Sequence, residues 1–316
     1  MEEDLASETA AIQLFDQKRF EAARDAFFDL IQSSGQTLQR VFYVARCESA
    51  MGNVTDALGM FLNMRESEEG KHYSYIDLHI ALCHYTLGDL AVAREELTKL
   101  LDYQEFVGHV HLMLAKMAES EVSRKQLLLD GYEKHGNHEC ACMLGNYYGE
   151  QDPENVLHLA TPYFEYAVHF PSPQHCRGEA KFRFGTLLIK KDSEKFMLGM
   201  EYINSAFCEN FPAAVEVVES IQIYAASQVD QVSGTKYDSA LTLYHQKDKN
   251  VDAAIKKMKN LKSKTPDVYY NLGLMLFSDV HIYGGLHIAI KKVDQAAKNG
   301  HAKAVEFIAM IRTYFK

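Results

Sequence analysis

The sequence predicts an all-α fold, an α-solenoid of roughly eight antiparallel helical hairpins, from three observations. The first is a repeated register, because an apolar, small, apolar pattern returns after 34 residues, a period typical of helical-hairpin repeats. The second is the length of 316 residues, which exceeds a usual single core and favours several domains or one array. The third is a composition of 47% hydrophobic and 24% charged residues, which is ordinary for a folded chain. The pattern Phe20, Ala23 and Phe27 recurs as Val54, Ala57 and Phe61.

Three hairpins are predicted at the start of the chain, at residues 4–34, 38–71 and 74–107. In each, apolar residues three or four positions apart form one helical face on either side of a tight turn. A small residue in the first helix lets the two backbones approach. The predicted turns are Gln17-Lys18-Arg19, Met51-Gly52-Asn53 and Leu87-Gly88-Asp89, and the small residues are Ala11, Ala45 and Ala81.

The middle of the chain, residues 108–228, predicts less regular helices. All six prolines come after residue 150, so this region is interrupted by connections, of which Pro171-Ser172-Pro173 is one. The predicted elements are an irregular pair at Val110 to Ala118 and Gln126 to Tyr132, longer hairpins around Gly145 and Gly185, and an unpaired or loosely paired helix from Ala213 to Ser227.

The end of the chain, residues 235–316, predicts another short hairpin, a longer hairpin and a capping helix. The short hairpin, at 235–268, turns at Lys249-Asn250. Pro266 is expected to stop its second helix, because proline cannot continue a helix. Residues 229–235 are predicted to be a flexible loop. The predicted organisation is therefore three blocks, 1–107, 108–228 and 235–316.

The short hairpins resemble the tetratricopeptide repeat, over about the first third of the chain and again at 235–268. The longer hairpins, together with the segment AAKNGHAKA at 296–304, resemble the Sel-one-like repeat, a relative with a longer and more variable turn. The resemblance implies antiparallel helix pairs that stack into a right-handed superhelix. It also implies a concave groove lined by the first helix of each pair.

The groove positions that this resemblance assigns are apolar and aromatic with one or two charges. Aromatic residues and arginine dominate interaction hot spots, so the groove is the predicted site for a partner peptide or helix. The alternative is that these residues pack against neighbouring hairpins or against a C-terminal helix folded back into the groove. The predicted partner-binding residues are Phe15, Phe42, Arg46, Tyr75, Leu78 and Tyr85.

One subclass of the family binds the carboxylate tails of heat-shock chaperones through Lys, Asn, Asn, Lys and Arg at set groove positions. Without a cation to pair the carboxylates, that specificity is not expected here. The corresponding residues of this chain are Glu8, Ile12, Tyr43, Tyr75 and His79.

Charge is distributed unevenly within a formal net charge of −10. Residues 1–120 carry 10 Lys/Arg and 20 Asp/Glu, whereas residues 236–316 carry 14 and 7. An acidic front excludes a continuous nucleic-acid surface along the array, which would need a positive field. The basic end leaves room for an anionic partner at a face formed by Lys256, Lys257, Lys259 and Lys262.

Catalytic and metal-binding patterns are weak. In the best zinc candidate, residues 135–142, a helix would direct Cys140 and Cys142 roughly 200° apart, so they could not share one ion. Cys83-His84 and His175-Cys176 are sequence neighbours that diverge on a helix, so neither predicts a catalytic pair. The six cysteines are predicted to be buried thiols, and neither an enzyme nor a cofactor is expected.

The sequence begins with the acidic Met1-Glu2-Glu3-Asp4 and holds no apolar run long enough for a membrane span, which predicts a cytoplasmic or nuclear protein. The predicted function is a non-catalytic scaffold or adaptor that binds a protein partner in the groove. The alternative is a regulatory module that self-associates through its acidic N-terminal and basic C-terminal faces. A zinc-dependent enzyme is the least favoured class.

Overall fold

The structure, a computed structural model, describes residues 2–151, 156–169, 174–231, 234–246, 250–280 and 285–315. Across these ranges the chain forms eighteen α-helices, three single-turn 3-10 helices and no β-strand. The helices are α1 (Glu2–Asp16), α2 (Phe20–Ser34), α3 (Leu38–Ala50), α4 (Val54–Glu66), α5 (Ser74–Leu87), α6 (Leu90–Lys99), α7 (Val107–Lys116), α8 (Glu121–Glu133), α9 (His138–Gln151), α10 (Val156–His169), α11 (Gln174–Lys191), α12 (Phe196–Cys208), α13 (Pro212–Gln228), α14 (Asp238–His245), α15 (Val251–Lys259), α16 (Pro266–Leu276), α17 (Leu286–Lys298) and α18 (Ala302–Thr313). The predicted all-α repeat fold is confirmed.

The chain divides into two compact units, unit 1 (Met1–Cys140) and unit 2 (Ala141–Lys316). The predicted division into blocks 1–107, 108–228 and 235–316 stays a prediction. None of the described helices is both long and apolar enough to cross a bilayer.

Unit 1 contains four helical pairs, α1–α2, α3–α4, α5–α6 and α7–α8, and each pair packs on the next. The small residues predicted at the crossings, Ala11, Ala45 and Ala81, are fully buried. The turns fall where they were predicted. Gly52 and Gly88 adopt φ values of 94° and 88°, a left-handed conformation that glycine enters without a Cβ clash.

Arg40 ties α1, α2 and α3 together. Its guanidinium is buried and donates to the carbonyl oxygens of Leu30 at 3.2 Å and Gly35 at 2.8 Å. It also donates to the Glu8 carboxylate at 3.3 Å. A buried guanidinium needs this many acceptors, because an unpaired charge in the interior is costly. Glu8, one of the groove positions that the family resemblance assigns, therefore pairs with Arg40 inside unit 1.

Unit 2 brings several of its helices together through glycine, where the first three pairs of unit 1 use alanine. A Cβ at Gly145 would lie 2.9 Å from the Phe164 ring, and one at Gly185 would lie 2.7 Å from the carbonyl oxygen of Gly199. At Gly273 a Cβ would lie 3.0 Å from the carbonyl oxygen of Ala289. Real Cβ atoms do not approach this closely, so helix crossings α9–α10, α11–α12 and α16–α17 depend on these glycines.

The centre of unit 2 is α16, in which eight of eleven residues are buried. A helix that is apolar on all sides must be covered on all sides. In addition to its chain neighbours α15 and α17, α16 packs against α13, and α12 packs against α17. The helix predicted at Ala213 to Ser227, observed as α13, thereby buries its apolar face.

Two side-chain amides fix these long-range contacts. Asn204 on α12 accepts a hydrogen bond at 2.7 Å from the backbone N–H of Leu286, the first residue of α17. Asn271, which is fully buried, donates to the Asp230 carboxylate at 2.8 Å and accepts from the Asp230 N–H at 2.9 Å. Burial alone would raise the pKa of Asp230, but the bonds from Asn271 and Lys303 outweigh it and lower that pKa.

Some predicted details differ or lie outside the described residues. Pro266 does not stop the preceding helix: α15 already ends at Lys259, and Pro266 is the first residue of α16, where its fixed φ and missing N–H are compatible with a helix start. Lys262 consequently lies beyond α15 rather than on it. Outside the described residues are the connection Pro171-Ser172-Pro173, Lys249 of the predicted turn, and residues 232–233 of the predicted loop.

Candidate functional site

Seven aromatic rings follow one another through unit 1, and we call them the aromatic row. Neighbouring ring centroids are between 5.3 and 6.3 Å apart, within the range of favourable aromatic pairs. The row begins on α1, continues on α3 and α5, and reaches the segment before α7, so it follows the first helix of successive pairs. In order, its members are Phe15, Tyr43, Phe42, Tyr73, Tyr75, Phe106 and Tyr103.

Arg46 places a positive charge on one end of the aromatic row. Its guanidinium carbon lies 4.4 Å from the ring centroid of Phe15, 5.3 Å from that of Tyr43 and 5.8 Å from that of Phe42. Cation–π attraction of this kind holds the guanidinium against the rings. In the described part of the chain, the rings hold Arg46 and no ion pair includes it.

His79 supports the row from the inside. Its ring stacks on Phe61 at 5.1 Å and contacts Phe42 edge-on at 5.1 Å. Burial lowers the pKa of His79 to about 3, and the positive charge of Arg46 contributes in the same direction. The ring is therefore neutral at neutral pH and packs as an aromatic residue.

The predicted partner-binding residues divide into two groups. Phe15, Phe42, Arg46 and Tyr75 all belong to the aromatic row or contact it, whereas Leu78 and Tyr85 pack with α6 and α7 in a separate core cluster. Phe42 and Leu78 are buried, with 4% and 7% of their surfaces exposed. Phe42 and Leu78 thus lie beneath the surface, and Tyr75, with 37% exposure, lies on it.

Sequence reasoning missed two exposed members of the row. Tyr73, at 37% exposure, precedes α5, and Tyr103, at 47%, follows the 3-10 helix Leu100–Asp102. Both lie outside the helices, so the 34-residue register does not include them. The available signal was the pair Tyr73 and Tyr75, two aromatic residues on either side of a helix start.

Unit 2 contains a cavity of about 410 Å³ between α9, α10 and α11. Phe164, Phe182 and Leu187 form its apolar lining, and Arg183, Lys190 and Lys191 add positive charge. Gly145 packs closely against Phe164, and both Gly145 and Gly149 line the cavity.

The His- and Cys-rich segment forms packing contacts. The Cys140 thiol is buried 3.8 Å from the carbonyl oxygen of Gly108, and burial raises its pKa to about 12. The rings of His111 and His135 are 5.3 Å apart, and His111 is also bonded to the carbonyl oxygen of Val107 at 2.9 Å. In the part of the chain that the structure describes, no group of three or more His, Cys, Asp or Glu could hold a metal ion.

Besides Cys140, three of the described cysteines are buried and one is exposed. Burial raises the pKa of Cys47 to about 11 and also raises the pKa of Cys83, so neither thiol is activated. Cys208 is exposed, so the prediction of a buried thiol was wrong there, because its position on α12 faces solvent. The four lysines predicted as an anionic-partner face are all exposed, three on α15 and one just after it: Lys256, Lys257, Lys259 and Lys262.

No protein-family model and no curated protein sequence matches this chain. A solved structure with some likeness is the crystal structure of yeast Tom70, at 18% identity and a TM-score of 0.30. That alignment covers 99% of this chain and 66% of the Tom70 chain, so this chain spans just under two thirds of that protein's length. At this level the likeness carries no argument about function. The chain is an all-α protein of repeated helical hairpins, as its own helix pairs, their buried small residues and their packing show.

Proposed function

We propose that unit 1 is a non-catalytic protein-interaction module whose aromatic row binds a helix or peptide of a partner protein. The observation that carries this proposal is the exposure of Tyr73, Tyr75 and Tyr103, at 37%, 37% and 47%, on one continuous row. Tyrosine is among the residues that contribute most to interface energies, because it combines a large apolar ring with a polar hydroxyl.

The rigidity of the row supports this role. Each exposed tyrosine rests on a buried ring: Tyr73 on Phe42 at 5.3 Å, and Tyr75 and Tyr103 on Phe106 at 5.3 and 5.9 Å. A surface whose side chains are already ordered loses little conformational entropy when a partner binds. The row is thus organised before any partner arrives.

The charge around the row restricts the chemistry of the partner. Arg46 offers a guanidinium that could pair with one carboxylate beside an apolar stripe. Residues 1–140 nevertheless carry 24 Asp/Glu against 13 Lys/Arg, so a strongly acidic partner would be repelled from unit 1. The best-matched partner is an amphipathic helix or peptide with apolar anchors and a single acidic residue.

An adaptor role follows if unit 2 binds a second partner. We propose this role for the whole chain, with a cytoplasmic location and Sel-one-like pairs in unit 2 as parts of the same proposal. The supporting observations are the glycine-mediated crossings of unit 2 and its separate cavity between α9 and α11.

Site-specific photo-crosslinking tests the binding surface. A photoreactive phenylalanine analogue is placed at Tyr75 and, in a matched variant, at Phe28 on α2, which has a similar exposure of 42% and is not in the row. We expect a discrete partner segment to crosslink from position 75 and not from position 28, and Tyr73→Ala to reduce the yield. Phe42→Ala is unsuitable here, because emptying a buried site would destabilise unit 1 by about 3–5 kcal/mol.

The result that would overturn the proposal is equal crosslinking from positions 75 and 28, or a yield from position 75 that Tyr73→Ala does not change. Thermal unfolding of each variant, followed by circular dichroism, checks that a lost crosslink does not reflect lost folding.

The alternative is self-association, in which the acidic N-terminal face of one chain meets the basic C-terminal face of another. It is supported by the opposite charge of residues 1–120 and 236–316. Light scattering at low and high salt tests it, because an electrostatic dimer dissociates as salt screens the charges.

A further inference from the structure

A concentrated basic surface lies on α15, the segment after it, and α17. On α15, Ala254, Ile255 and Met258 are buried, which leaves the lysines of the opposite side in solvent. The segment between α15 and α16 adds two exposed lysines, and α17 adds one exposed and one partly buried lysine. We call this set the lysine face: Lys256, Lys257, Lys259, Lys262, Lys264, Lys291 and Lys292.

Lys292 on α17 is the residue of the lysine face that the other lysines influence most directly. Its ammonium lies 5.4 Å from the ring centroid of Tyr269 on α16, which holds the side chain against the protein. Partial burial lowers the pKa of Lys292, and the positive charges of Lys264, Lys291 and Lys259 lower it further. Because α15 and α17 both pack against α16, Lys259, Lys264 and Lys291 lie close enough to Lys292 to repel it.

Two carboxylates near the lysine face pair with other cations. Asp294 on α17 pairs with Lys298 at 2.6 Å, and Asp267 on α16 pairs with His301 at 3.3 Å. Like charges held together at an energetic cost are neutralised when an anionic ligand binds, so the lysine face is suited to an anion.

Side-chain chemistry distinguishes between anionic partners. Among the described residues, the large exposed apolar side chains of unit 2 are Leu159, Leu198, Ile223 and Val305, all outside α15 and α17. A membrane surface is therefore offered no apolar residue to insert. Nucleic-acid bases need exposed aromatic platforms, whereas Tyr269 is covered by Lys292. Carboxylates need only positive charge, which lysine supplies as a compact ammonium.

We propose that the lysine face is a docking site for an Asp/Glu-rich segment of a partner protein. Charge complementarity determines both attraction and specificity at this site. This inference concerns unit 2 alone and stands whether or not the aromatic row of unit 1 binds a partner.

The experiment measures fluorescence anisotropy of a labelled poly-glutamate peptide with the full chain. A poly-glutamine peptide of equal length is the uncharged control. The charge-removing variant is Lys259→Gln with Lys264→Gln and Lys292→Gln. Its matched control is Lys134→Gln with Lys195→Gln and Lys236→Gln, three exposed lysines outside both the lysine face and the cavity of unit 2. We expect the Kd for poly-glutamate to rise at least ~10-fold in the first variant and less than ~2-fold in the second.

Salt and a second variant complete the test. Binding to poly-glutamate should weaken steeply as salt rises, because exposed charges are screened. Lys256→Gln with Lys257→Gln changes only fully exposed residues of α15 and keeps the test valid if substitution of Lys292 disturbs folding; it too should weaken binding.

Four outcomes would overturn the proposal. They are absent binding of poly-glutamate, equal weakening by the Lys134/Lys195/Lys236 control, binding of phosphatidylserine vesicles or of a phosphodiester polymer in preference to poly-glutamate, and a dimer in light scattering that the charge-removing variant abolishes. The last result would assign the lysine face to a second copy of this chain.

Discussion

At the scale of single residues, His79 couples the aromatic row to pH. It lies between Phe42 and Phe61, and burial keeps it neutral. Its pKa in the folded chain, about 3, lies below the ordinary value of 6.5. The unfolded chain therefore binds a proton first as the pH falls. The stability that the neutral ring contributes is fully present above pH 6.5 and is lost progressively between pH 6.5 and 3.

We predict that unit 1 loses stability in mild acid through this residue. Between pH 6.5 and about 5, the free energy of unfolding should fall by up to about 2 kcal/mol. Contact of the His79 ring with solvent would make this decrease smaller. The measurement is urea unfolding followed by circular dichroism. His79→Phe should remove this part of the pH dependence, and the exposed His72, replaced in the same way, should not. Identical pH profiles for the wild type and His79→Phe would contradict the prediction.

At the scale of elements, the helix crossings of unit 2 depend on glycines that are not equivalent. A Cβ at Gly185 would meet the backbone oxygen of Gly199 at 2.7 Å, which cannot move without separating α11 from α12. A Cβ at Gly149, also helical, would lie 3.6 Å from a Leu187 methyl carbon, an ordinary van der Waals distance. The two positions therefore allow the same substitution to be compared in two environments.

Gly185→Ala and Gly149→Ala are predicted to have opposite signs. The first should destabilise unit 2 by about 1–3 kcal/mol because it overpacks the crossing. The second should be neutral or stabilise by up to about 1 kcal/mol, since alanine favours helix more than glycine does. Thermal unfolding of both variants measures the difference. Equal effects at the two sites would show that close approach does not determine the role of Gly185.

The elements also show what the sequence could predict. Ala11, Ala45 and Ala81 are buried at the predicted crossings, because local spacing alone puts a small residue on the packed face of a helix. The site was predicted less well. Phe42 was predicted to line the groove but is buried. Residue spacing identifies the inward face of a helix, and it cannot tell a core position from a groove position. The tyrosines before α5 and before α7 lie outside any helix and were missed for that reason.

At the scale of the whole molecule, the two units differ in how far apart in sequence their contacts lie. In unit 1, each helix packs mainly on the one before it and the one after it. In unit 2, α12 packs on α17 and α13 packs on α16, with the α14–α15 pair between them in sequence. No periodic pattern predicts such contacts, because they depend on which distant face is left uncovered.

Hydrogen exchange of the full chain should reveal this difference. We expect amides of α12, α13, α16 and α17 to exchange together, because one continuous core cluster includes all four helices. The helices of unit 1 should exchange in graded order, since separate clusters cover successive pairs. Mass spectrometry of peptic fragments over time distinguishes the two behaviours. Independent exchange of α12 and α17 would contradict the prediction.

The bond between Asn204 and Leu286 also bears on how the protein is made. These residues are 82 positions apart, so α12 leaves the ribosome well before its partner α17 exists. At roughly 5–20 residues per second, that interval is roughly 4–16 s. For that time the side of α12 that packs on α17 is uncovered. The helices of nascent unit 1 pack on the preceding ones as they emerge, so unit 2 exposes apolar surface during synthesis for longer than unit 1 does.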